Sequence, residues 1–172
     1  MIVLEDADID AAADGVFAAL TTLNGQWCRA LGRLLVHSRV QYDLMEAVQL
    51  RLSGIQIGSS MEGHSQMGPL VSRVHRDRVA ASVEKMLSEG GTALQPSVQV
   101  PSTGWFFPPT LITGLAPERT CEEVFGPVAA VHTFDDDEQA LMLANQTPFG
   151  LAAYVFGEEE HAWAIARQTR AG

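Results

Sequence analysis

Short aliphatic runs alternate with stretches of helical periodicity along the whole chain, and this alternation limits the possible folds more than any other feature of the sequence. Ile2-Val3-Leu4 is the first run, and the acidic stretch Glu5-Asp6-Ala7-Asp8 after it has helix N-cap chemistry. The helix that follows places apolar Val16, Phe17, Leu20 and Leu23 at three- and four-residue spacing, and Asn24-Gly25 ends it. Leu34-Leu35-Val36 reads as a buried strand. Ser38 is placed to cap a second helix with the face Val40, Leu44, Val48 and Leu52, closed by Gly54. Gly58 to Pro69 is a loop, after which Ser72 can cap a third helix with apolar Val79, Val83 and Leu87, running to Gly90-Gly91.

Pro96 to Pro109 reads mostly as loop. Thr110-Leu111-Ile112 and Val128 to Phe134 read as strands, and the charge of Asp135 to Glu138 favours the start of a helix over 138–145. Leu151 to Phe156 is a further strand. Gly157-Glu158-Glu159-Glu160 opens a last helix with Ala162, Ile165 and Ala166 inward, and Gly172 sits where a helix stops. Strand-helix alternation of this kind predicts an α/β domain over 1–172, a three-layer αβα arrangement around a mostly parallel twisted sheet. A core strand begins at the second residue and no strand follows the last helix, so the sheet is expected to be incomplete.

With 47% hydrophobic residues among 172, the chain can bury a sizeable core, which excludes disorder. Eleven Lys plus Arg against 21 Asp plus Glu leave a formal charge of −10, a field that repels phosphate backbones and anionic lipid heads. Nucleic acid and membrane surfaces are therefore disfavoured as partners. Apolar stretches such as Val16 to Leu20 fall short of the roughly 20 residues that span a bilayer. The start of the chain has no secretory pattern, and the cytoplasm is the expected location. Two cysteines, Cys28 and Cys121, cannot build a disulfide framework, and no Cys/His metal spacing accompanies them.

Gly25-Gln26-Trp27-Cys28 puts a thiol just after a glycine break, where backbone N–H groups can stabilise a thiolate and then an oxyanion. An inert buried cysteine is the alternative reading. His37, His64, His75, His132 and His161 show no spacing that marks a Cys/His dyad and read as surface or core residues. Glu122-Glu123-Val124-Phe125-Gly126-Pro127 joins carboxylates to an aromatic before a strand. It can accept a ribose hydroxyl and pack a ring on a heterocycle, or form a solvated acidic loop over a core Phe. Asp135 to Glu138 and Glu158 to Glu160 read as helix-capping charge. No G-x-G-x-x-G and no P-loop is present.

In order along the chain, these pieces resemble the aldehyde dehydrogenase superfamily. Ile2 to Ala12 resembles the segment after the family's Glu-Leu-Gly-Gly motif. Gly25-Gln26-Trp27-Cys28-Arg29-Ala30 with Arg33 resembles its active-site G-Q-x-C-x-A-x-x-R. Met67-Gly68-Pro69-Leu70, Gly104 to Thr110, Glu122 to Val128, and Ala144-Asn145 with Thr147 to Leu151 are similar to its later signatures. The resemblance implies a catalytic-domain fold and a Cys28 thiolate that attacks a small-molecule aldehyde, with hydride passing to NAD or NADP and water releasing the acid. It also implies that Glu123 binds the ribose next to nicotinamide, that Phe125 packs at the nicotinamide end, and that the Cys28 N–H donates to the oxyanion.

The family's nucleotide-binding domain, its oxyanion Asn, its general-base Glu and its closing segment do not correspond to anything in these 172 residues. Leu23 stands where the family has Asn, and Leu31-Gly32 replaces a Gly-Ser-like pair. The isolated chain is therefore expected to be weak or inactive in oxidation and to bind the cofactor poorly. A complementing chain with a nucleotide-binding domain, or a homo-oligomer, is the expected partner. Two alternatives stay open: a cysteine acyl-transfer or esterase-like protein, and a non-catalytic binding module pairing through a sheet edge.

Overall fold

The structure is a computed structural model and describes residues 1–171; the helix stop expected at Gly172 lies outside the described residues. Six strands form one sheet: β1 (Ile2–Val3), β2 (Arg33–His37), β3 (Thr92–Leu94), β4 (Thr110–Thr113), β5 (Val128–Phe134) and β6 (Val155–Phe156). Their order is β3-β4-β5-β2-β1-β6, and every pairing is parallel except the antiparallel edge pair β3 and β4. Five α-helices connect them: α1 (Ile9–Thr21), α2 (Gln41–Ser53), α3 (Arg73–Ser88), α4 (Asp137–Asn145) and α5 (Glu159–Ala166).

The pleat assigns residues to two cores. Val3, Leu34, Val36, Leu111, Ala129 and Val131 point to one face, where Val16 and Leu20 of α1 and Leu44 and Val48 of α2 pack on them. Their strand neighbours point the other way. Ile112 and Val128 meet Val79, Val83 and Met86 of α3, while Ile2, Leu4, Leu35 and Phe134 meet Ala140, Leu143 and Ile165 of α4 and α5. Nearly continuous apolar strands are what a sheet covered on both sides requires. The three-layer α/β expectation therefore holds.

Several local expectations hold and several are corrected. The Oδ1 of Asp8 accepts from the Ala11 N–H at 3.0 Å, and Ser72 and Asp136 cap α3 and α4 in the same manner. Ser38 does not cap α2. Its hydroxyl instead donates to Asp135 Oδ1 at 2.5 Å, and Val40 occupies the cap position with no side-chain bond. Glu158 likewise makes no side-chain cap, so Glu159 and Glu160 favour α5 only through their charge in its first turn. Leu87 is 42% exposed, and Met86 takes the inward place. In α5 only Ile165 is buried, Ala162 and Ala166 being half-buried.

β3 has no clear signature in the sequence, because Thr92-Ala93-Leu94 is short and only half-buried at an edge. The ladder of β6 holds just Val155 and Phe156, leaving 151–154 as irregular chain. Leu23 departs most from expectation. It is 66% exposed, and its φ of 49° takes it out of the helix that its spacing suggested.

Candidate active site

The turn carrying Cys28 begins where α1 gives way to a tight 3-10 turn (Thr22–Gly25). Leu23, Asn24 and Gly25 have φ of 49°, 58° and 69°, three successive left-handed residues that reverse the chain within one turn. Glycine is required at the third. An ideal Cβ on Gly25 would lie 2.5 Å from the Gly126 carbonyl oxygen and from the Pro127 nitrogen. The thiol turn therefore sits backbone to backbone against the Glu122–Pro127 loop. Cys28 is exposed, and none of the backbone hydrogen bonds among the described residues is donated by its N–H.

Two amide side chains secure this turn from the other side. Asn24 Oδ1 accepts from the Gly68 N–H at 2.7 Å, and Asn24 Nδ2 donates to the Pro69 carbonyl at 3.0 Å. Gln26 Oε1 accepts from the Val71 N–H at 2.9 Å. Neither residue stands out in the sequence as a tether. Amides beside a turn glycine can bind backbone groups, yet nothing in the sequence says which distant segment they reach.

Phe125 is held in a left-handed conformation too, with φ of 54° and 39% exposure. Its carbonyl is bonded to Nε2 of His75 at 2.8 Å, and the two rings meet edge-on at 6.4 Å. His75, whose sequence position reads only as surface or core, anchors this loop. The adjacent carboxylates divide. Glu122 pairs with Lys85 at 3.4 Å, while Glu123 is exposed and enters no ion pair among the described residues.

Cys28, Glu123 and Phe125 line one cleft of about 400 Å³. Its walls include Cys121, Arg33 at the start of β2, Asn145 at the end of α4, and the irregular 149–154 segment. The cleft lies at the amino ends of β1, β2 and β6, whereas open parallel sheets commonly bind ligands at the carboxyl ends. On its floor, Arg33 Nη1 donates to the Leu143 carbonyl in the last turn of α4 at 2.8 Å, while Arg33 Nε and Nη2 are buried without partners among the described residues. Burial lowers the Arg33 pKa. Thr120 also lines the cleft. Its hydroxyl donates to Pro117 O at 2.9 Å and is bonded to His132 Nε2 at 2.8 Å, so His132 is the donor in that pair. Burial, reinforced by the Arg33 charge, pushes the His132 pKa down to about 4 and keeps the ring neutral.

No group of three or more His, Cys, Asp or Glu converges to hold a metal ion among the described residues. No helix among them is long and apolar enough to cross a membrane. The sequence of residues 1–172 matches the model of the aldehyde dehydrogenase family. The chain belongs to that family.

Among aldehyde dehydrogenase relatives, a succinate semialdehyde dehydrogenase of Acinetobacter baylyi is 37% identical over 175 residues, covering 99% of this chain and 36% of that protein. The solved structure of an NAD-dependent aldehyde dehydrogenase from Sinorhizobium meliloti superposes with a TM-score of 0.94 at 33% identity, over 99% of this chain and 35% of the other. A betaine aldehyde dehydrogenase from Staphylococcus aureus, solved in complex with NAD+, gives 0.91 at 31% identity, over 99% and 35%. The chain thus spans about a third of the length of the aldehyde dehydrogenases it matches.

Proposed function

We propose that this chain carries the nucleophile of an NAD(P)-dependent aldehyde oxidation. The observation that supports it is the convergence of Cys28, Glu123 and Phe125, from segments far apart in sequence, on one cleft. The thiolate of Cys28 adds to the aldehyde carbon to give a thiohemiacetal, and the unbonded Cys28 N–H is available to the oxyanion that forms. Bound NAD(P) would supply the hydride acceptor that oxidation of this carbon to a thioester requires. Water then cleaves the resulting thioester, releasing the carboxylic acid and restoring the thiol.

The residues here fit one end of such a cofactor. Glu123, without an ion-pair partner, can accept from ribose hydroxyls, and the half-exposed Phe125 ring offers a flat face. Neither a glycine-rich phosphate loop nor a second oxyanion donor or general base is identified in these 172 residues. Losses of about 10²–10⁴ for each missing catalytic group predict negligible NAD(P)H formation by this polypeptide alone. A chain supplying the nucleotide-binding part is the partner that would complete the site. The substrate is a small aldehyde, as the names of the relatives suggest.

The test is covalent. Mass spectrometry of the chain treated with an activated ester should find an acyl group on Cys28, formed faster than on free cysteine and absent in Cys28→Ala. An unmodified Cys28 in the native chain sinks the proposal, as does robust NAD(P)H formation that persists in Cys28→Ala.

A further inference from the structure

We propose that Asn24 and Gln26 are positioning residues for the Cys28 thiol, using the Gly68–Val71 segment as a template; this rests on the nucleophile reading above. The argument is geometric. The turn from Leu23 to Gly25 holds three successive left-handed residues, and the Leu23 side chain disfavours that conformation. Such a turn persists only where its surroundings impose it. The turn's own backbone closes with the Gln26 N–H on the Leu23 carbonyl at 3.0 Å.

Side chains add restraint from outside the turn. Three bonds from two side chains tie positions 24 and 26 to the backbone at 68, 69 and 71, on both sides of Pro69. The template is itself held, because the Leu70 N–H donates to the Trp105 carbonyl at 2.9 Å and Leu70 is buried in the α3 core. From the opposite side the turn is closed by the Gly25 contact with Gly126 and Pro127. Cys28 therefore leaves a turn clamped between two loops, and the orientation of its N–H relative to its thiol follows from that clamp. Asn24 and Gln26 touch neither substrate nor thiol in this account. They act through the backbone.

Two reactions at one sulfur separate positioning from exposure. Acylation by p-nitrophenyl acetate develops an oxyanion and depends on the N–H as well as the thiol, whereas alkylation by iodoacetamide depends on the thiol alone. Both rates are read on the 172-residue chain by peptide mass spectrometry, with Cys121 as the internal reference. Asn24→Ala and Gln26→Ala are expected to slow Cys28 acylation about tenfold, the scale of a lost hydrogen bond to a held group, with alkylation changing less than about threefold. Gln26→Glu keeps the acceptor for Val71 and should restore the acylation rate. Asn24→Asp keeps the Gly68 bond but cannot donate to Pro69 and should lie between.

Alanine variants that acylate at the native rate overturn the positioning role alone. Equal losses in both reactions, shared by Cys121, reduce it to a general structural effect and overturn it as well. A native chain whose Cys28 acylates no faster than free cysteine overturns the nucleophile reading and this inference together.

Discussion

At the carboxyl ends of the parallel strands the polar groups find partners within the fold, while at the amino ends several do not. Beyond β2 and β5, Ser38 donates to the Asp135 carboxylate, the Arg39 N–H donates to His37 Nδ1, and His37 Nε2 bonds the Asp135 carbonyl. Beyond β1 and at the start of α4, Asp6 and Asp137 grip the two nitrogens of His161 at 2.7 and 3.1 Å. The amino ends instead open into the cleft. Among the described residues Arg33 Nε and Nη2 and Trp27 Nε1 are buried there without partners, while Leu23, Asn24 and Phe125 hold left-handed backbone nearby. One sheet thus stores its unfavourable terms at a single end, where Cys28 lies. Substitutions at the two ends should therefore differ in their effect on stability.

The largest contrast is between two phenylalanines. Phe134, at the carboxyl end of β5, is 1% exposed, so Phe134→Ala should cost about 3–5 kcal/mol in urea unfolding. Phe125→Ala at the cleft should cost within about 1 kcal/mol, since the ring is partly in water and its backbone is strained. Comparable losses at the two sites would abolish the distinction. Next comes acid. An unfolded imidazole protonates near 6.5, whereas His132, 6% exposed beneath the cleft, stays neutral down to about 4. Between those values the unfolded chain binds the extra proton, so stability should fall by about 3 kcal/mol as pH drops from 6.5 toward 4. In His132→Gln that part of the acid slope should vanish; a slope that survives it would place the acid sensitivity elsewhere.

The sequence makes the closed end legible and the cleft much less so. Val128 to Phe134 reads as a strand because its apolar run has clear limits, a proline before and four acids after, and β5 has those bounds. Asp8, Ser72 and Asp136 cap helices because a cap is a local bond, spanning three residues. Ser38 has the same chemistry but loses to Asp135, almost a hundred residues away. The cleft depends on such distances throughout. Cys28 is marked by its motif and Glu123 and Phe125 by theirs, but the Asn24, Gln26 and His75 bonds span 44 to 50 positions. Leu23 misleads for a related reason. Its spacing matches α1, yet the turn below needs the chain to leave the helix before that spacing can count.

Returning to the closed end, His161 should behave oppositely to His132. Its hydrogen bond to Asp6 raises its pKa, helped by Asp137 and against a burial penalty. A raised folded value means the stabilising contribution is complete below 6.5 and is lost as pH rises through the folded value. Half-exposure of Asp137 limits the effect to about 1 kcal/mol or less. His161→Gln should therefore be destabilising at pH 5.5 and close to neutral at pH 9, a convergence that paired thermal melts would detect. Equal destabilisation at both would mean that packing, not charge, holds α5 against β1 and α4.

The smallest effect tests the strained end most directly. Leu23 buries little of its side chain and pays a left-handed backbone at φ of 49°. Asn tolerates that conformation far better than Leu, so Leu23→Asn should stabilise the chain by about 0.5 kcal/mol, a shift of a degree or more in Tm. The Asn24 and Gln26 bonds stay in place, so Cys28 acylation should be unchanged or slightly faster. Destabilisation by Leu23→Asn would mean that the leucine side chain contributes contacts to the turn. The left-handed run would then be held by position 23 as well as by the amides at 24 and 26.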